Sequence, residues 1–302
     1  MISVYCHNNQ HNTSYPHGTS LMELAKAEGI TLKYPLLGAL VNNKVRDMNY
    51  LIHKPCQIRF FDGSSPYGND MYKRSLYFML FKVVSDLLPN VRLRISHSIS
   101  GGKYCALDGY QGEIDDVLVD RLTNAMHELV ARNIPFRRLE MLTPDALAEY
   151  SRHGMDEKSR LFKYRKRIFT TIYALDDKIN YYYGFLVPST GYNKLFSLEK
   201  YESGLLLKMP QPKHPDTLSA TRSNPKLFAI YRDYKEGAMR FGVPYVMDIN
   251  ERTVSGEIGD VVRVTEAIQE NRFARIEADV RKREKVKVVM ISGPSSSGKA
   301  TA

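Results

Sequence analysis

The sequence predicts an α+β protein with two or three domains. Short apolar runs typical of strands and stretches with apolar residues at helical spacing follow one another in mixed order, without an internal repeat. With 302 residues and 43% hydrophobic content, the chain can bury sizeable cores. A third observation is the β-branched run at 286–291, which predicts a strand buried on both faces of a parallel sheet.

Residues 1–62 predict a first small α+β domain. Its helix has a hydroxyl residue to cap the start and a glycine at the end. Its strands are short apolar runs, and Asn42 and Asn43 form a turn between two of them. In order, the predicted elements are a strand at 2–6, a polar loop at 7–17, a helix from Thr19 or Ser20 to Gly29, and strands at 39–41 and 57–61.

His7 and His11 lie four residues apart in this predicted loop. On a helix, that spacing would place both rings on one face, where they would suit a metal ion. The loop is rich in asparagine and predicts no helix, so the favoured interpretation is two solvated histidines.

Residues 63–210 predict a second α+β domain. Apolar residues recur at helical spacing up to Leu87, and Pro89 ends that helix. Thr143, followed by proline and aspartate, predicts a capped helix start. In order, the predicted elements are a helix at 76–87, a strand at 92–96, a turn at 101–102, helices at 114–130 and from Thr143, and strands at 168–175 and 181–187.

Basic and aromatic residues are interleaved between Lys158 and Arg167. Such a pattern can hold phosphates and stack bases. A solvated helix whose aromatic side chains face the core explains the same pattern, and this interpretation is favoured. The expected RNA binding is therefore weak. The tyrosines at 181–183 are likewise interpreted as alternating residues of a strand.

Residues 211–285 predict a linker followed by helices. Three prolines between Pro210 and Pro215 indicate the linker. Gly242 and Pro244 then separate a helix near 227–231 from a long helix over 261–280, whose basic end suits the helix dipole.

Residues 286–302 carry the most specific motif. The predicted strand leads into a Gly-Pro-Ser-Ser-Ser-Gly-Lys segment, the spacing of a phosphate-binding loop whose backbone N–H groups and lysine contact phosphate oxygens. Ala300 stands where serine or threonine normally binds Mg²⁺, which removes the expected ligand. The candidate phosphate- and ATP-binding residues are Gly293, Pro294, Ser295, Ser296, Ser297, Gly298, Lys299, Ala300 and Thr301, with Lys299 as the catalytic candidate.

The net charge of +10 indicates affinity for an anionic partner such as a nucleotide or RNA, although a basic part of a larger, balanced protein would have the same charge. Three cysteines at long spacings form neither a metal pair nor a disulfide framework, so a reducing, cytoplasmic setting is expected. The start has no secretory pattern, and no apolar run reaches 18 residues, so no membrane partner is expected.

Three stretches resemble known families. Residues 1–62, with Tyr-Pro-His-Gly-Thr-Ser at 15–20, resemble the ubiquitin-like TGS domain at the front of threonyl-tRNA synthetases. Residues 70–205 are similar to the second additional, or editing, domain of those enzymes. Residues 291–299 resemble the phosphate loop of uridine kinases. This order resembles the multidomain bacterial nucleoside kinases of the uridine-kinase family, as do the stretches at 97–105 and 187–192.

The synthetase resemblance implies a metal site that this sequence lacks. The family holds its editing metal with H-x3-H on a helix and C-x3-H near a strand. The matching positions here are Arg74, Phe78, Tyr182 and Leu186, so neither zinc nor metal-activated water is expected.

Taken together, the resemblances imply the amino-terminal part of a nucleoside kinase that uses ATP and Mg²⁺ to phosphorylate the 5′-hydroxyl of uridine or cytidine. The 302-residue chain itself is expected to be inactive. The alternative is a synthetase-derived module that binds RNA or a small ligand, or a threonyl-tRNA synthetase fragment. The sequence leaves the oligomeric state open.

Overall fold

The computed structural model describes residues 1–293 and residue 295. It is a mixed α+β protein with several separate sheets, as the sequence predicts. The chain divides into two compact units. The first comprises Met1–Ser159 and Lys166–Phe228, and the second comprises Arg160–Arg165 and the described residues from Ala229 onward. The predicted domain boundaries at 62, 210 and 285 stay predictions.

A five-stranded sheet with one helix opens the first unit. The strand order is β2-β1-β5-β3-β4, in which β1 and β5 are parallel and the other neighbours antiparallel. The elements are β1 (Ile2–Cys6), β2 (His11–Tyr15), α1 (Leu21–Ala27), β3 (Leu36–Val41), β4 (Lys44–Asp47) and β5 (Cys56–Asp62).

Local signals place α1 and the β3–β4 turn correctly. Ser20 caps α1 in a reciprocal pair with Glu23, and the predicted apolar side of the helix is buried. Asn42 and Asn43 both have positive φ, as a tight hairpin turn requires. The predicted loop at 7–17 is wrong in part, because β2 pairs along β1 as a polar edge strand.

The rest of the first unit places two antiparallel sheets around the long helix α2. Their strand orders are β11-β12-β7-β6 and β10-β9-β8. The elements are α2 (Pro66–Leu87), β6 (Arg92–Ile99), β7 (Gly102–Asp108), α3 (Asp116–Arg132), β8 (Arg137–Leu142), α4 (Thr143–Arg152), α5 (Asp156–Lys163), β9 (Phe169–Leu175), β10 (Lys178–Asn180), β11 (Ser197–Tyr201) and β12 (Gly204–Lys208). Helix α5 begins in the first unit, and its residues from Arg160 onward belong to the second.

Three predictions in this region need correction. Thr143 is not the cap of α4, since its hydroxyl donates to the carbonyl oxygen of Arg167, 2.6 Å away. Residues 181–187 are irregular rather than a strand, with Gly184 at φ +115°. The predicted linker at 210–215 forms a small hairpin of β13 (Pro210–Gln211) and β14 (His214–Leu218).

Three helices follow, α6 (Pro225–Arg240), α7 (Val246–Ser255) and α8 (Ile258–Arg281). The predicted break is confirmed, since α6 ends before Gly242, which has positive φ. The strand predicted at 286–291 is wrong, because these exposed residues have no partner strand within the described part of the chain. No helix in the described residues is both long and apolar enough to cross a bilayer.

Candidate functional site

Helix α2 and the irregular segment 181–186 bring together the four positions that match the synthetase metal ligands. The rings of Phe78 and Tyr182 are 5.3 Å apart, and Phe78 and Leu186 are buried. Arg74, one turn before Phe78, donates to the carbonyl oxygen of Phe185 at 3.0 Å. The sequence alignment therefore selected a real cluster, but its side chains are a cation, two aromatics and an aliphatic. They do not fit a zinc ion, which binds sulfur, imidazole or carboxylate ligands.

Arg74 cross-links the two segments that a metal would otherwise join. Besides its bond to Phe185, it lies 3.7 Å from Asp70 on its own helix. Gly184 packs directly against its guanidinium, where an added Cβ would lie 2.8 Å from Nη1. The positive φ of Gly184 favours glycine at this position, and a larger residue would also displace the Arg74 guanidinium.

Further cations and tyrosines line the same place, which we call the α2 cleft and define as Lys73, Arg74, Tyr77, Lys103 and Tyr182. Burial lowers the pKa of Lys73, the Asp70 charge opposes this, and the nearby charge of Lys103 lowers the pKa further. Burial also raises the pKa values of Tyr77 and Tyr182, which remain protonated hydrogen-bond donors at neutral pH. The cleft thus brings together three cations and two largely buried phenols; Arg74 and Lys103 also have partners within the protein, Phe185 and Ser98.

Sequence reasoning found Arg74 and Tyr182 but missed Lys73, Tyr77 and Lys103. Lys73 and Tyr77 are four residues apart on α2, so their spacing predicts that they share one face of the helix. Lys103 lies on β7, and its place near α2 depends on sheet packing that spacing does not show. Cys105, on the same strand, is an inert thiol because burial raises its pKa to about 12.

The basic stretch from Lys158 to Arg167 is mainly a helix with its aromatic side chain turned inward, as favoured from sequence. Phe162 is buried, and the Arg165 guanidinium lies 5.2 Å from its ring centroid. Arg160 is bound by Asp248 and Glu251, which neutralise it. Lys163 is left as an exposed cation.

Of the two amino-terminal histidines, His7 lies in the turn directly after β1 and His11 begins β2. His7 Nε2 is 3.1 Å from Gln57 Oε1, and His11 Nδ1 is 3.5 Å from Glu28. In the described part of the chain, no three histidine, cysteine or acidic side chains are grouped to hold a metal ion.

The predicted phosphate-binding loop falls almost entirely outside the described residues. Of its candidates, the structure describes Gly293 and Ser295, which are exposed; Pro294 and residues 296–301 lie outside. Phosphate binding, and Lys299 as its catalytic residue, stay predictions.

No family model matches the chain, but it is similar to several threonine–tRNA ligases. The chain is 26% identical over 187 residues to the threonine–tRNA ligase of Clostridium kluyveri, covering 60% of this chain and 28% of that protein. It is 28% identical over 190 residues to the Fusobacterium nucleatum threonine–tRNA ligase, covering 59% and 29%. The Thermotoga maritima threonine–tRNA ligase is 26% identical over 186 residues, covering 61% and 28%.

These relatives correct the predicted enzyme class. They are threonine–tRNA ligases rather than nucleoside kinases, so the kinase assignment drawn from the carboxyl-terminal loop is wrong. The chain spans less than a third of the length of these ligases. The similarity agrees with the alternative in which the chain is derived from a synthetase.

Proposed function

We propose that the chain is a synthetase-derived RNA-binding module whose α2 cleft binds RNA without hydrolysing it. In this proposal, residues 1–62 and 63–210 correspond to the TGS and editing-like domains, and tRNA is the first RNA to test because the relatives are named for it. Phosphates of the RNA would be neutralised by Lys73, Arg74 and Lys103.

The observation that carries the proposal is the replacement at the four metal positions together with the cations beside them. A guanidinium and two aromatic rings cannot activate a water molecule in the way a zinc ion does. The cations of the cleft can bind phosphate, because Arg and Lys contact phosphate oxygens, whereas the buried Phe78 ring supports the cluster from below and contacts no ligand. The cleft is therefore suited to binding and not to metal-dependent hydrolysis.

A tRNA-binding measurement with two double variants tests the proposal. We expect the wild-type chain to bind a threonine tRNA transcript with micromolar or weaker Kd, and Lys73→Ala/Lys103→Ala to weaken binding at least about fivefold. Lys44→Ala/Lys54→Ala is the matched control, since it removes the same charge from exposed positions in β4 and in the connection before β5. Equal weakening by both pairs would show that general charge, not the cleft, binds the RNA.

We separately propose that residues 293–301, which keep the spacing of a phosphate-binding loop, have at most weak affinity for Mg-ATP in this chain. We expect this chain to bind Mg-ATP too weakly for calorimetry, because no strand among the described residues supports 286–291. Fixing a loop of this length costs about 1–2 kcal/mol per residue. Micromolar binding that Lys299→Ala abolishes would contradict this expectation.

A further inference from the structure

Strand β8 forms an exposed edge of the sheet β10-β9-β8. Within the described residues, β9 is its only partner strand. Five of its six residues are exposed, including Leu139 and Leu142. Proteins usually protect such edges, because the open backbone groups pair readily with another extended chain.

The hydrogen-bond pattern between β8 and β9 identifies which backbone groups of β8 point away from β9. Thr143 donates its N–H to the Ile168 carbonyl across the end of the β8–β9 pair. Hydrogen-bonded pairs alternate along an antiparallel ladder, so residues 137, 139 and 141 point toward β9, and the N–H and C=O groups of Arg138, Glu140 and Leu142 point to the open side. At 136 the outward N–H already donates to Pro188, so the open edge begins at Arg138.

Apolar surface and a groove accompany this edge. Leu142 lies opposite Phe169 on β9, and Phe169 and Ile168 are 54% and 71% exposed, which extends the apolar surface beyond the strand. At the other end of β8, a 340 Å³ groove is lined by Pro135, Phe136, Leu139, Leu186, Val187 and Pro188, with Asp47 and Asn49 among its polar groups. A groove of this size holds one or two side chains.

The charged residues near β8 limit which molecules can bind along its open edge. Strand β8 carries Arg137 and Arg138, and Lys166 and Arg167 lie just before β9, against Glu140 on β8, which is 3.4 Å from Arg138, and Asp47 in the groove. A second copy would bring the same excess of cations and be repelled. RNA has the opposite charge, but a phosphodiester chain has no row of backbone N–H and C=O groups to pair with a strand.

We infer that β8 binds an extended peptide segment of a partner protein, in which acidic and apolar residues alternate, as an added strand. The backbone of the peptide pairs with Arg138, Glu140 and Leu142, its acids meet the surrounding cations, and an apolar side chain enters the groove. In strand addition of this kind, main-chain hydrogen bonds supply affinity and side-chain pockets supply specificity. The site adjoins the segment 181–186, since Leu186 lines the groove and the Arg138 guanidinium lies 5.6 Å from the Phe185 ring centroid, but the inference stands without the RNA proposal.

Fluorescence anisotropy with an octapeptide of alternating glutamate and valine tests this inference. Glu140→Pro removes the central outward N–H, and Glu140→Ala is its matched control because it removes the same side chain but keeps the N–H. We expect Glu140→Pro to bind at least about tenfold more weakly than Glu140→Ala. Circular dichroism and thermal melting of both variants check that the sheet is intact.

A charge reversal keeps the test decisive if Glu140→Pro disturbs the sheet. Arg137→Glu/Arg167→Glu should lose the glutamate–valine peptide and gain an octapeptide of alternating lysine and valine, an exchange that simple unfolding would not produce. Equal peptide affinities of Glu140→Pro and Glu140→Ala would overturn the inference. So would stronger binding of an octauridylate at this edge, or dimers of the Glu140→Ala chain that Glu140→Pro dissociates without any peptide binding.

Discussion

At the residue scale, the most unusual buried group is Lys82 on α2. Its side chain is 5% exposed, and its Nζ lies 2.6 Å from Asp177, 3.0 Å from Asp86 and 3.8 Å from Asp176. Burial alone would lower the pKa of Lys82, but the hydrogen bonds to Asp177 and Asp86 outweigh it and raise the pKa. In return, Lys82 lowers the pKa of Asp177 to about 2. Lys82 therefore ties α2 to the β9–β10 turn.

Replacing Lys82 with methionine should lower the free energy of unfolding by about 1–3 kcal/mol at neutral pH. The loss of this buried partner leaves Lys178 and Arg132 as the remaining cations of the three carboxylates. These acids are also partly exposed, so solvent screening limits the effect. Lys200→Met is the control, since it removes an exposed partner of Glu113 and should change stability by less than about 0.5 kcal/mol. Urea unfolding measures both.

The same pair predicts a pH dependence. The Asp177 pKa is lower in the folded chain than its usual value near 3.9, so its stabilisation is complete above about pH 4 and is lost as the pH falls toward about 2. The difference between wild type and Lys82→Met should therefore be largest at neutral pH and shrink across this acid range. A constant difference from pH 7 to pH 2 would show that Lys82 acts through packing alone.

At the element scale, two hydroxyl residues predicted as helix caps have different roles. Ser20 caps α1 through the backbone N–H of Glu23. Thr143 is 7% exposed, and its hydroxyl donates to the carbonyl oxygen of Arg167 and lies 2.9 Å from that of Thr170. A helix cap involves residues close together in the chain, so the sequence predicts where α1 begins. The hydrogen bond from Thr143 reaches a residue 24 positions away and cannot be predicted from residue spacing.

This difference predicts different losses of stability. Ser20→Ala should destabilise the chain by about 1 kcal/mol, the usual value for a lost cap. Thr143→Val keeps the shape but removes the donor to the Arg167 carbonyl and the partner of the Thr170 hydroxyl, which is 0% exposed, and this costs about 1–3 kcal/mol. Urea unfolding of the two variants measures the order. A larger loss for Ser20→Ala would contradict the described role of Thr143.

The sequence predicts the elements that depend on residues close together in the chain. It does not predict those that depend on contacts with distant residues. The α1 cap, the Asn42–Asn43 turn and the apolar face of α2 follow from spacing and turn chemistry. Strand β2 is polar and depends on β1, and the predicted strand at 181–187 gives way to the contact of Gly184 with Arg74. For the α2 cleft, the resemblance located Arg74 and Tyr182, but Lys103 joins them only through the packing of β7.

At the scale of the whole molecule, two features favour ligand binding over metal-dependent hydrolysis. The four positions that match the synthetase metal ligands supply none, and the net charge is +10. We expect no tightly bound zinc, because Arg74, Phe78, Tyr182 and Leu186 supply none of the ligands that zinc needs. Metal analysis after extensive dialysis checks this expectation. One zinc ion retained per chain would contradict it and would reopen the question of metal-dependent chemistry.

The net charge of +10 raises the question of where RNA is bound, and salt dependence can answer it. If Lys73, Arg74 and Lys103 neutralise three phosphates, the logarithm of affinity should fall with that of salt concentration with a slope of about −2, or roughly fifteenfold between 50 and 200 mM. Lys73→Ala/Lys103→Ala should flatten this slope by about 1.4, since each lost phosphate contact removes about 0.7.

Lys163→Ala/Arg165→Ala removes the same charge from the basic stretch and should leave the slope nearly unchanged, because Arg165 stacks on the buried Phe162. Filter binding from 50 to 200 mM salt measures all three chains. A slope flattened by Lys163→Ala/Arg165→Ala alone would move the RNA contact to α5. Sequence-specific, sub-micromolar binding at physiological salt would show that base readout, and not phosphate neutralisation, governs recognition by this chain.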